Sequence, residues 1–163
     1  MRAQLVAFVL AIWHLISPAL ERSRDARAIA VALVDAVLAD AGGAPVYTSH
    51  LEDLAAGAFT AFRESSLEAD AEGDCDAPHV NCRSFGPWQI RGDCGHAALR
   101  EQARCWLEVL HRGGRDCPAS PMAMLWGTCT GRVPYGPHKV DVRWLSGARE
   151  RRVRRLLEQA ITK

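Results

Sequence analysis

The chain has 163 residues, 48% of them hydrophobic, which is enough for one core without help from subunits or cofactors. Twenty lysines and arginines nearly cancel nineteen aspartates and glutamates, leaving a formal charge of +1. So even a balance gives no global electrostatic pull toward nucleic acid, and nucleic acid is not expected as a partner.

The first residues read as a secretory leader. Arg2 supplies a short positive start, Leu5 to Ile16 are apolar except for His14, and Ser17-Pro18-Ala19 offers small residues at the positions a signal peptidase reads. Cleavage after Ala19 is the expectation, with 1–19 removed and 20–163 forming the folded unit. The apolar run is short for a membrane span, which takes about twenty residues, so no stable membrane insertion is expected after cleavage. The competing reading of the same stretch is a buried N-terminal helix.

Asp25 to Asp40 carries Ile29, Ala30, Leu33, Val34, Val37 and Leu38 at helical spacing, with Ser23 as a candidate cap and Gly42-Gly43 as the stop. A second helix starts at Ser49, where Ser49-His50-Leu51-Glu52 has the form of a capping box. It places Leu51, Leu54, Ala55, Ala58, Phe59 and Phe62 on one face and ends near Glu64. From Glu68 to Gly95 the pattern turns polar and glycine-rich without helical period, predicting an extended loop or a small hairpin. Leu99, Ala103, Trp106, Leu107 and Leu110 mark a third helix that stops at Gly113-Gly114, with Trp106 in its apolar stripe. Ser120-Pro121 opens a fourth, and a basic helical tail begins near Ser146. With Arg143 just before it, that tail carries Arg149, Arg151, Arg152, Arg154 and Arg155. It reads as a solvated face paired with Glu150 and Glu158, or as an anchor to an anionic surface.

Six cysteines, Cys75, Cys82, Cys94, Cys105, Cys117 and Cys129, all lie between residues 75 and 129. An even number behind a leader favours disulfides over zinc. No Cys-x-x-Cys pair occurs, and neither His79 nor His96 stands in a ligand spacing with the cysteines, so neither metal nor cofactor is expected. Cys75 and Cys82, which bracket a short polar segment, are the best candidates for a pair.

Three blocks stand in order along the chain: Glu64-Ser65-Ser66-Leu67 with Ala71; Ser84-Phe85-Gly86-Pro87-Trp88-Gln89-Ile90; and Trp126-Gly127-Thr128-Cys129-Thr130-Gly131-Arg132-Val133. Together they resemble the soluble lytic transglycosylase and goose-type lysozyme group. There a helix ends in Glu-Ser, a Gly-x-x-Gln turn comes next, and a Tyr-Asn-Ala-Gly-x-Gly block comes later. The resemblance spans about residues 48 to 140. It departs from the family at Trp126-Gly127, where Tyr-Asn is usual, and in a segment from Asp74 to Arg83 that looks inserted.

The resemblance implies a mainly α, α+β lysozyme-like domain with a Cys-bearing loop or small hairpin after the catalytic helix. It implies cleavage of the β-1,4 bond between N-acetylmuramic acid and N-acetylglucosamine in peptidoglycan. The protein would be a secreted or periplasmic monomer whose partner is the glycan strand. Glu64 would be the general acid and base, with Ser65, Gly86, Trp88, Gln89 and Trp126 as substrate-binding residues.

Such an acid must hold a proton at neutral pH, and apolar neighbours favour that state; Phe62, Leu67, Phe85 and Trp88 are candidates. Trp88 and Trp126 are each equally readable as sugar-facing rings or as core. Most glutamates merely solvate a helix end, and it is the flanking blocks that single out Glu64. Ordinary glycosidases need a second carboxylate. Asp70, Asp74, Asp76 and Asp93 are candidates that spacing does not separate. The resemblance suggests instead a single-acid route in which the sugar's sixth hydroxyl closes an anhydro ring. The reading from another class is a non-catalytic peptidoglycan-binding or envelope-structural module on the same fold.

Overall fold

The computed structural model describes residues 1–16, 19, 23–43, 48–113 and 155. Among them run, in chain order, α1 (Arg2–Ile16), α2 (Ala26–Asp40), α3 (Thr48–Ser65), β1 (Glu72–Gly73), β2 (Ser84–Phe85), β3 (Ile90–Arg91), a 3₁₀ turn (Gly92–His96) and α4 (Leu99–Gly113). The predicted fourth helix, Trp126, Cys117, Cys129 and all of the basic tail except Arg155 lie outside the described residues. Arg155 itself is helical and exposed.

The helices form where apolar side chains recur at helical spacing and end where the backbone demands it. The N-cap position of α2 is Asp25, not Ser23 as expected, though Ser23 Oγ accepts the Ala26 N–H at 3.1 Å from outside the helix, and α2 closes on Gly42 and Gly43, both at positive φ. One core joins Val9, Ile12 and Trp13 of α1, Ile29, Leu33 and Val34 of α2, Leu54 and Phe59 of α3, and Trp106 and Leu107 of α4. The glycine inside α3 has a packing reason: a Cβ on Gly57 would fall 2.5 Å from Leu33 Cδ1 and 3.0 Å from the Trp106 ring.

The N-terminal stretch that reads as a leader is, in this chain, a helix folded into that core. Val9 and Ile12 are fully buried, the Trp13 indole N–H donates to Ala58 O at 2.8 Å, and Arg2 makes a two-point ion pair with Asp35 of α2. No helix among the described residues is long and apolar enough to cross a membrane.

The polar stretch after α3 is more ordered than its composition predicts. β1, β2 and β3 form an antiparallel sheet in the order β1-β2-β3, with Glu72 opposite Phe85 and Phe85 opposite Ile90. Two disulfides brace it. Cys75–Cys82, the pair expected from sequence, closes the β1–β2 loop, and Cys94–Cys105 staples the 3₁₀ turn to α4. Phe85 packs on the His96 ring at 4.0 Å between centroids, tying the sheet to that turn.

Polar contacts clamp α4 to the other helices. His111 Nε2 lies 3.1 Å from Asp53 Oδ2 of α3 and its Nδ1 lies 3.8 Å from Asp40 Oδ2 of α2, with Asp53 buried. The hydrogen bond to Asp53 raises the His111 pKa above the usual imidazole range, against the opposing effect of its partial burial.

This packing has two measurable consequences. Removing residues 1–19 uncovers the core face of α2 and α3, and Trp13→Ala alone costs about 3–5 kcal/mol, both read as a lowered thermal midpoint. An unchanged midpoint in both would show that α1 is not part of the core. Because the His111 value is raised on folding, its stabilisation is complete below about pH 6.5 and is lost as pH rises through the raised value. The midpoint of the wild type therefore falls over that window, and Asp53→Asn flattens the dependence.

Candidate active site

Glu64 occupies the last turn of α3, and the chain leaves that turn by an unusual route. Ser66 and Leu67 both have left-handed backbone, at φ 54° and 66°, a conformation that costs a residue with a side chain about 1–2 kcal/mol. The turn is held by its surroundings. Leu67 is fully buried, Ser65 Oγ donates to Ala61 O at 2.8 Å and accepts the Leu67 N–H at 3.2 Å, and Asp25 Oδ2 accepts the Ala69 N–H at 3.1 Å. The start of α2 thus fixes the path of the chain beyond Glu64.

That path and β1 enclose an open cleft of about 550 Å³ lined by Glu64, Ser65, Ser66, Glu68, Asp70, Ala71, Glu72 and His79. Four carboxylates, two serines and the His79 imidazole face it. His79 Nδ1 lies 2.8 Å from Glu72 Oε2 across the β1–β2 loop. A surface of carboxylates and hydroxyls suits a substrate rich in hydroxyl and amide groups, and Glu64, exposed, is reachable by it.

The other residues singled out by sequence take different places. Ser65 lines the cleft, but its hydroxyl is spent on the backbone around it and does not orient Glu64. Gly86 is buried in the β2–β3 turn at φ 72°, where a side chain is strained and a Cβ would have to displace the Gln102 amide from 1.8 Å. Gln89 is turned inward. Its amide nitrogen donates to Gly86 O at 3.0 Å and its Oε1 accepts from Ser84 Oγ at 2.9 Å, fastening the turn to the strand before it.

Trp88 requires a correction as a sugar-facing ring. It is 1% exposed and its indole N–H donates to Gly57 O at 3.0 Å, so both its faces and its polar handle belong to the core. Leu67 is likewise fully buried.

Among the four aspartates, only Asp70 lines the cleft. Asp74 is taken by Arg91 at 2.7 Å, and that hydrogen bond holds its carboxyl below the usual carboxylate range. Asp76 pairs with Arg83 and Asn81, and Asp93 sits on the 3₁₀ turn. Sequence reasoning missed Glu68, Glu72 and His79. The available signal was the Cys75/Cys82 pair: closing that loop returns its crest, which carries His79, toward its base, which carries Glu72.

No protein-family model matches the chain, and no curated protein or solved structure is detectably similar to it.

Proposed function

We propose that the chain cleaves the glycan strands of bacterial peptidoglycan at the β-1,4 bond between N-acetylmuramic acid and N-acetylglucosamine, as a muramidase or lytic transglycosylase with a lysozyme-like fold. The observation that carries this reading is the placement of Glu64. It is exposed at the end of a core helix and opens onto a cleft, and the chain beyond it folds into a small antiparallel sheet whose β2–β3 turn is the Gly86 to Gln89 block. The Gly86 N–H donates to the carbonyl of the cleft residue Ala71 at 2.8 Å. A residue of the second sequence block is thus bonded to the alanine of the first, which lines the cleft with Glu64.

Breaking a glycosidic bond through an oxocarbenium-like transition state needs a proton delivered to the leaving oxygen. Glu64 supplies it. A sugar ring seated in the cleft displaces water from around the carboxyl that faces it. The exposed Ser66 hydroxyl offers a hydrogen-bonding group to hydroxyl and acetamido substituents. The two disulfides suit an oxidising compartment, which is where peptidoglycan lies.

Full-length, oxidised protein incubated with purified sacculi is expected to release soluble muropeptides. Glu64→Gln, which keeps shape but carries no transferable proton, lowers the rate by at least about 10²–10⁴-fold, while Asp76→Asn leaves it unchanged. Equal release by wild type and Glu64→Gln contradicts the assignment of the acid. Retention on sacculi without any release favours instead a binding or envelope-structural module.

A further inference from the structure

We infer that Glu72, held by His79, is the base that activates the attacking water, so that this cleft cleaves glycan by hydrolysis rather than by closing an anhydro ring. The inference rests on the glycan-cleaving reading with Glu64 as the acid, and names the second half of that site.

A hydrolase needs a second carboxyl group that shares the cleft with the acid and is held in one place. Glu68 and Asp70 share the cleft, yet their carboxylates have no hydrogen-bond or ion-pair partner among the described residues. Asp74 and Asp76 are held, but by Arg91 and Arg83, and they do not line the cleft.

Among the described residues, Glu72 alone meets both conditions. It lines the cleft with Glu64, stands on β1 in register with Phe85 of β2, and has its Oε2 fixed at 2.8 Å from His79 Nδ1. That bond uses one carboxylate oxygen and leaves Oε1 for a water.

His79 is itself held by the loop that carries it. The Cys75–Cys82 disulfide closes the loop, Val80 N–H donates to Ala77 O at 2.9 Å, and Asp76 N–H donates to Val80 O at 3.0 Å. A long, exposed glutamate otherwise surrenders up to about 2 kcal/mol of side-chain entropy when it is fixed at the moment of reaction. The histidine makes that restriction part of the fold. It acts through Glu72, as a positioning residue.

In the step itself, the water oxygen bonds to the anomeric carbon as Glu72 Oε1 takes one of its protons. The bond from that carbon to the leaving sugar breaks, and the leaving oxygen takes the proton of Glu64. One water is consumed, one reducing end and one hydroxyl are formed, and exchange with solvent returns a proton to Glu64 and removes one from Glu72. The sixth hydroxyl of the muramic acid takes no part.

The test is mass spectrometry of muropeptides released from sacculi by the full-length oxidised chain, together with kcat and KM for variants. Wild type is expected to give free reducing ends. Glu72→Gln lowers kcat by about 10²–10⁴-fold with KM little changed. His79→Leu lowers kcat by up to about 10²-fold, and His79→Gln, which restores a side-chain donor, recovers most of that loss. Anhydro products from wild type, or wild-type turnover by Glu72→Gln, overturn this inference and leave the glycan-cleaving reading standing. Equal loss in His79→Leu and His79→Gln overturns the positioning role. No release by wild type overturns the parent reading, and this inference falls with it.

Discussion

Two tryptophans grip the helix that carries Glu64. The Trp13 indole of α1 donates to Ala58 O and the Trp88 indole of the β2–β3 turn donates to Gly57 O, so consecutive carbonyls of α3 are bonded from the helical side and from the sheet side. Each carbonyl has a second lone pair beyond its helical partner, and a buried indole N–H left without an acceptor is costly. These two bonds therefore fix α3 both along its axis and in rotation about it. Everything at the cleft depends on that rotation, because it decides that Ala58, Phe59 and Ala61 are buried while Glu64 faces out. Gly57 completes the arrangement by letting Leu33 and the Trp106 ring reach the helix backbone.

The second constraint is the reversal after Glu64. A helix continued by two left-handed residues with side chains is not what local propensity prefers, and the chain accepts it because a fully buried Leu67, the Ser65 hydroxyl and the Asp25 carboxylate all favour that path. The reversal delivers β1 alongside the end of α3, and so places Glu72 on the same cleft as Glu64. Sheet, turn and 3₁₀ segment then act as one block, stapled to α4 by Cys94–Cys105.

Much of this was legible in the sequence wherever periodicity was long. The bounds of α2 and α4, the Gly42-Gly43 stop, the core place of Trp106 and the Cys75–Cys82 pair all accord with apolar spacing and turn chemistry. The three strands did not show, because two residues are too few to display an alternation, and only the hairpin they belong to could be expected. Trp88 was ambiguous because a turn residue and a core plug have the same letter; its indole finds its acceptor at Gly57, far back along the chain. The leader-like stretch was ambiguous for a related reason, since an apolar run of this length serves a signal sequence and a core helix equally well. Glu72 and His79 lay hidden because their pairing is made by a disulfide loop, and a loop's geometry is not written in its composition.

Whether Glu64 meets the scissile glycosidic oxygen in this cleft is tested most directly by a crystal structure of Glu64→Gln with a bound peptidoglycan tetrasaccharide. The expected result is a glycosidic oxygen within about 2.6–3.2 Å of the residue 64 amide, with Glu72 across the same bond. A glycan bound away from residue 64, with that side chain still facing solvent, would contradict the role given to Glu64.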